Sequence, residues 1–101
     1  MKEDKAREIF LKAISDKTRY GIISCLRRGS KSVNGMKCDC DLDQTLVSYH
    51  LKYLKKIGFV NYKKDGKMRI YSLDKEITPI LTLLDKGIRK YRNKLNGSKL
   101  A

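Results

Sequence analysis

No stretch of this chain approaches the roughly 20 consecutive apolar residues that a bilayer span requires, which excludes a membrane-crossing helix on pattern alone. The opening helix is too charged for the apolar core of a secretory signal peptide, so the chain is expected to stay in the cytoplasm. Histidine occurs once, at His50, and a lone histidine makes a poor metal site. Cysteine occurs three times, an odd number without the spacing of a disulfide framework. That usage fits a reducing compartment and leaves metal binding or thiol chemistry open. No Ser-His-Asp or Cys-His grouping, paired-carboxylate cleft or phosphate loop can be assembled from the motifs present, so an enzyme is not expected. Acidic residues are scarce too: 11 Asp and Glu face 24 Lys and Arg, a formal charge of +13. A polyanion is the natural partner for such a field, with nucleic acid ahead of an acidic membrane surface.

What is present is helical periodicity, interrupted once by a strand pattern. The 101 residues suit one domain with a modest core, marginal unless a partner's surface is added, so a homodimer is expected. Residues Lys5 to Ile14 place Ala6, Ile9, Phe10, Ala13 and Ile14 on one stripe of a first helix. Ser15 and Asp16 are N-cap candidates for a second helix, Thr18 to Arg28, which carries Ile22, Ile23 and Leu26 and stops at Gly29. Ser30 to Asp41 is poor in apolar residues and weakened by Gly35, and takes a short third helix from Val33 to Cys40. Asp43 caps a fourth helix with Leu46, Val47, Leu51, Leu54 and Ile57 inward and Gly58 as the exit. Phe59 to Lys64 and Lys67 to Leu73 read as strands joined at Asp65-Gly66, a hairpin turn dipeptide. From Ile77 a last helix carries Ile80, Leu81, Leu84, Ile88, Tyr91 and Leu95, a stripe too long for this core to cover alone. With Ile9 and Phe10 of the first helix it forms the expected dimer seam. Residues 1–95 are thus expected to be the DNA-binding and dimerisation domain, and 96–101 a disordered tail.

The fold class expected is mainly α with a small β-hairpin: a winged helix-turn-helix of about five helices and a two-stranded wing. An amphipathic helix running into a basic hairpin suits the reading of a DNA major groove and the gripping of flanking phosphates. The outward face of the fourth helix supplies Gln44, Thr45, Ser48, Tyr49, Lys52 and Lys56. Glutamine pairs bidentately with adenine, hydroxyls serve base or phosphate, and lysine prefers guanine or phosphate. Lys63, Lys64, Lys67 and Arg69 of the hairpin reach the backbone or adjacent minor groove in this reading. The plainer readings are a solvated helix face and a soluble edge blunted by lysines. His50 lies between the buried and exposed faces, where it either touches a phosphate or packs at a helix junction.

This order of elements resembles the winged helix-turn-helix repressors of the ArsR family over nearly the whole chain. Asp16-Lys17-Thr18-Arg19 followed by Ile22-Ile23 is similar to that family's second-helix opening. Val47-Ser48-Tyr49-His50-Leu51, Leu54 and Gly58-Phe59-Val60 resemble its recognition helix and exit, and Gly66, Arg69, Tyr71, Ser72 and Leu73 its wing. The resemblance implies a homodimeric transcriptional regulator, usually a repressor released by an inducer. Cys38-Asp39-Cys40-Asp41-Leu42 is similar to the family's metalloid-ligand motif, yet an ungapped count places Ser32 and Asn34 at the usual ligand positions.

The cysteines keep three readings. Cys25 lies on the apolar side of the second helix and is most simply a small core residue. Cys38 and Cys40 point about 200° apart on a regular helix, so they share one soft ion only if the helix ends between them. Such an ion, cadmium, zinc or trivalent arsenic, is the candidate inducer; no cofactor is otherwise required. Alternatively the pair oxidises, although neighbouring aspartates disfavour the thiolate. Two rival functions remain: a ligand-independent architectural DNA-binding protein, and a protein-interaction module using the last helix.

Overall fold

The computed structural model describes residues 1–40 and 42–98, with only the backbone of Cys38 and Asp39. The helix α1 (Glu3–Ser15) meets α2 (Lys17–Arg27) at a tight corner whose chemistry is concentrated in two side chains. Asp16 caps α2 by accepting from the Arg19 amide at 2.8 Å. Arg19 turns back and donates from Nε to the Ala13 carbonyl at 3.1 Å and from Nη2 to the Lys12 carbonyl at 2.8 Å. These are end-of-helix carbonyls, Lys12's also accepting from Ser15 Oγ at 3.1 Å, so one guanidinium helps terminate one helix while the adjacent carboxylate starts the next.

The short α3 (Val33–Cys40) begins where Ser32 Oγ accepts from the Gly35 amide at 3.0 Å. The longer α4 (Gln44–Lys56) begins where Asp43 accepts from the Leu46 amide at 3.0 Å. Gly58, at φ +85, turns the chain out of α4 through a conformation that side chains resist. Strands β1 (Val60–Asp65) and β2 (Met68–Leu73) then pair antiparallel, from Val60 with Leu73 to Asp65 with Met68. The two residues outside that register are Gly66 and Lys67, so the turn sits one residue later than the Asp65-Gly66 expectation, with Gly66 taking φ +63. A feature invisible in the strand pattern completes the ribbon. Lys31, ahead of α3, exchanges two backbone hydrogen bonds with Tyr71, at 3.0 and 2.8 Å, and fastens the wing to the helical body.

The core collects Ile22 and Ile23 of α2, Met36 of α3, Val47, Leu51 and Leu54 of α4, Phe59, Val60, Tyr71 and Leu81, with the Phe10 and Phe59 rings 5.0 Å apart. The last helix, α5 (Ile77–Asn96), touches this core mainly through Leu81. Leu81 is therefore a correction to the expected seam: it is fully buried in its own protomer and cannot meet a partner. Ile9, Phe10 and Leu84 are half-buried, whereas Ile80, Ile88 and Tyr91 are exposed, joined by Leu83 at 70 % and Leu11 at 52 % exposure. Helix α5 runs through Asn96, and Gly97 and Ser98 bond back to its last carbonyls. The rest of the expected tail lies outside the described residues.

A polar clasp holds α5 to α2. Tyr20 Oη and Arg27 both donate to the Asp85 carboxylate, and Arg27 also reaches Thr82 Oγ1 at 3.4 Å. The Tyr20 hydrogen bond first, then the Arg27 hydrogen bond and charge, hold the Asp85 carboxyl below the usual carboxylate range, against burial. A depressed folded-state pKa contributes stability at neutral pH that is lost as pH falls through it. Asp85→Asn is accordingly expected to flatten the acid limb: urea midpoints at pH 7 and pH 3 should differ less in the variant than in the parent.

Candidate nucleic-acid interface

The outward face of α4 and the wing enclose an open groove of about 730 Å³, floored by Leu51 and walled by Ser48, Lys52 and Lys55 on one side and Tyr62, Lys67 and Arg69 on the other. Helix α4 presents this wall because Val47, His50, Leu51 and Leu54 are turned inward, leaving the polar positions in solvent together with Leu46, expected inward but half exposed. Arg19 contributes from beneath: its guanidinium lies 5.0 Å from the Tyr53 ring centroid, tying the α1–α2 corner to the back of α4.

On the wing, the strand register decides which cations face the groove. Tyr62 pairs with Tyr71 and Lys64 with Arg69, all on one face of the ribbon, since side chains alternate. Lys63, opposite Ile70, falls on the other face, with Asn61 and Ser72. The Tyr62 and Tyr71 rings lie 5.4 Å apart, and the Arg69 guanidinium sits 4.7 Å above the Tyr62 ring. A hydrogen bond with the Tyr71 side chain, then the charges of Tyr62 and Tyr71 in their ionised forms, push the Arg69 pKa up, so the group stays cationic. Arg69 is thereby held over an aromatic platform while its charge remains in solvent, a suitable mount for a phosphate contact.

Of the ten DNA-contact candidates, Ser48, Lys52, Lys67 and Arg69 line the groove. Gln44, Thr45 and Tyr49 stand exposed toward the start of α4, Tyr49 at 70 %, and Lys56 is exposed near its end. Sequence reasoning missed Ser32, Asn34, Lys55 and Tyr62, which also line it. Tyr62 and Lys55 were readable from strand alternation and helical spacing, but Ser32 and Asn34 arrive from the start of α3 by tertiary packing. Of the two His50 readings, the structure has the packing one: the residue is 8 % exposed, its ring edge-on to Tyr49 at 5.2 Å. Its Nδ1 finds no hydrogen-bond partner among the described residues.

One of the two candidate soft-ion ligands is bridged in this structure. Cys40 is bonded to Cys25 in a disulfide, so its sulfur is not a free ligand, and Cys25 is buried yet not a free thiol. The side chain of Cys38 lies outside the described residues, among which no group of three or more ligating side chains gathers. Ser32, at one of the usual ligand positions, instead caps α3. With Cys40 bridged, the described residues hold no set of donors for a soft ion.

Comparison with known proteins places these elements. Residues 16–62 match the pattern of bacterial regulatory proteins of the arsR family. The chain is 36 % identical over 91 residues to an HTH-type transcriptional regulator of Methanocaldococcus jannaschii, covering 83 % of this chain and 96 % of that protein. It is 39 % identical over 71 residues to a cadmium resistance transcriptional regulatory protein homologue of Staphylococcus aureus, covering 64 % of this chain but only 54 % of that protein, about half its length. Among solved structures, HlyU from Vibrio cholerae superposes with a TM-score of 0.73 at 27 % identity, over 85 % of this chain and 96 % of that one. Among the described residues no helix is long and apolar enough to cross a membrane. With its recognition helix, fastened wing and basic groove, the chain belongs to the ArsR family of winged helix-turn-helix DNA-binding transcriptional regulators.

Proposed function

We propose that this regulator acts in the cytoplasm as a homodimeric repressor, occupying a pseudo-palindromic operator rather than catalysing a reaction. The observation that carries the reading is the groove itself: Lys52 and Lys55 on α4 face Lys67 and Arg69 on the wing across an opening that a sugar-phosphate strand fits in size and charge. In this reading Gln44, Thr45, Ser48 and Tyr49 meet base edges, and Lys52, Lys56, Lys64, Lys67 and Arg69 meet phosphates. Lys63, on the far face of the ribbon, contributes to the general field.

Dimerisation is supported by the exposed apolar row Ile80, Leu83, Ile88 and Tyr91 on α5. A row of that size on a 20-residue helix is unusual for a monomer's solvent face. Paired α5 helices would set two recognition helices about one DNA turn apart. Relatives named for cadmium and mercury resistance make a metal response worth assaying, in the reduced protein where Cys40 is unbridged.

The test is fluorescence anisotropy of the protein on its own upstream DNA and on random DNA across a salt series, with the mass in solution measured by light scattering. A dimer that prefers the upstream site, with log affinity falling linearly in log salt, is the expected result. A monomer with equal affinity for both DNAs overturns it.

A further inference from the structure

We propose that Cys25 and Cys40 form a thiol–disulfide switch that sets DNA affinity, the bridged form holding the helix-turn-helix in its DNA-reading arrangement. This rests on the DNA-binding reading above and adds to it a chemical input.

The bridge joins α2 to the last residue of α3, 15 residues along the chain, with Cα atoms 6.3 Å apart. It lands just ahead of Asp43, the residue that starts α4, so the covalent link sits at the turn that orients the recognition helix. Helix α3 is short, and the bridge is the one covalent tie among its described contacts. Its N-terminal end is fixed by Ser32 and by the Lys31–Tyr71 pair, Met36 is the fully buried side chain among its described residues with Val33 packed beside the core, and Gly35 lowers its intrinsic helicity. Opening the bridge leaves the C-terminal end of α3 held by packing alone and frees the α3–α4 turn to shift against α2.

The two sulfurs are unequal in access. Cys25 is fully buried, whereas Cys40 is half-buried, and Arg28 points a guanidinium nitrogen at Cys40 Sγ from 3.1 Å. The reachable sulfur with a cation beside it, rather than the buried one, is the group that meets an oxidant, so Cys40 is the attacking group. The neighbouring acidic residues of the sequence pointed the other way; Arg28, 12 positions upstream, is brought in by the fold. In a reducing cytoplasm a disulfide is most often transient or sensing rather than a permanent staple.

The chemistry balances with hydrogen peroxide as oxidant. The Cys40 thiolate attacks one peroxide oxygen, the O–O bond breaks, and hydroxide leaves to take the proton that Cys40 released, giving water and a sulfenic acid. The Cys25 sulfur then attacks Cys40 Sγ. The S–S bond forms, the S–OH bond breaks, and hydroxide takes the Cys25 proton as a second water. A dithiol reverses this by two exchange steps, restoring both thiols and leaving as its own cyclic disulfide.

The experiment uses the full chain, reduced with dithiothreitol or oxidised with hydrogen peroxide. Peptide mass mapping identifies the linkage, and anisotropy measures affinity for upstream and random DNA. Expected are a Cys25–Cys40 linked peptide and an upstream affinity about fivefold or more higher in the oxidised form. Cys40→Ser should stay at the reduced affinity under peroxide, Cys38→Ser should switch like the parent, and Arg28→Ala should oxidise more slowly. Equal affinities of the two forms, with upstream preference intact, overturn the switch while leaving the DNA reading standing. A linkage through Cys38, or a bridge that dithiothreitol cannot open without unfolding, also overturns it. Loss of upstream preference in both forms overturns the DNA reading itself.

Discussion

Replacing Lys52 and Arg69 together with alanine should lower affinity for the upstream site by roughly 10²-fold or more, on the basis that each charge-assisted contact contributes about 1.5–3 kcal/mol. The loss should be nearly the same on random DNA, and the salt dependence should become shallower by about two phosphate contacts per protomer. Both positions line the groove from opposite walls, Lys52 on α4 and Arg69 on its tyrosine platform, so the pair measures whether one strand of backbone passes between them. Neither side chain carries core packing, and the circular dichroism spectrum should be unchanged. Gln44→Ala provides the contrast: on the exposed start of α4 it should alter preference at one base-pair position with little change of salt slope. Unchanged affinity of the double variant would remove the groove from the DNA-binding account.

The second large effect is on stability. Leu54 is fully buried on the inner face of α4, and its carbonyl accepts from the Phe59 amide at 2.9 Å where the chain leaves the helix. Leu54→Ala should cost about 2–5 kcal/mol through lost burial and an unfilled cavity. Against a total of roughly 5–15 kcal/mol for a small domain, that displaces the urea midpoint strongly at unchanged slope. Measured at one fixed protein concentration, Leu83→Ala should leave the midpoint nearly unaltered by comparison, because that side chain is 70 % exposed in the protomer. Its effect should appear on dilution, as a shift toward monomer.

Much of this architecture was readable from side-chain spacing. The 3.6-residue stripes placed α1, α2, α4 and α5, and even the apolar-poor α3 spans Val33–Cys40 as expected. What spacing could not resolve was how a stripe is shared between core and surface. Ile80 and Leu81 are neighbours on α5, yet only Leu81 enters the core, a difference of one helical position. The hairpin was legible, but its turn slid by one residue because Gly66 is the one member of the loop whose positive φ comes without a Cβ penalty. Ser32 and Asn34 were opaque as groove residues, since nothing local announces that the start of α3 faces the wing. The Cys25–Cys40 bond was equally hidden. Three thiols allow three pairings, and the two closest in sequence are not the pair that the packing of α2 against α3 brings together.

The mutual hydrogen bonds of Lys31 and Tyr71 also bear on the kind of DNA this protein tolerates. By tying the ribbon to the segment that leads into α3, they turn recognition helix and wing into the two jaws of a gauge with a set opening. If α4 reads bases and Arg69 holds a phosphate as proposed, an extra base pair between them adds about 3.4 Å of rise, which the backbone anchorage at Tyr71 opposes. On the proposed reading, insertions within the operator are expected to cost more affinity than sequence changes in its flanks.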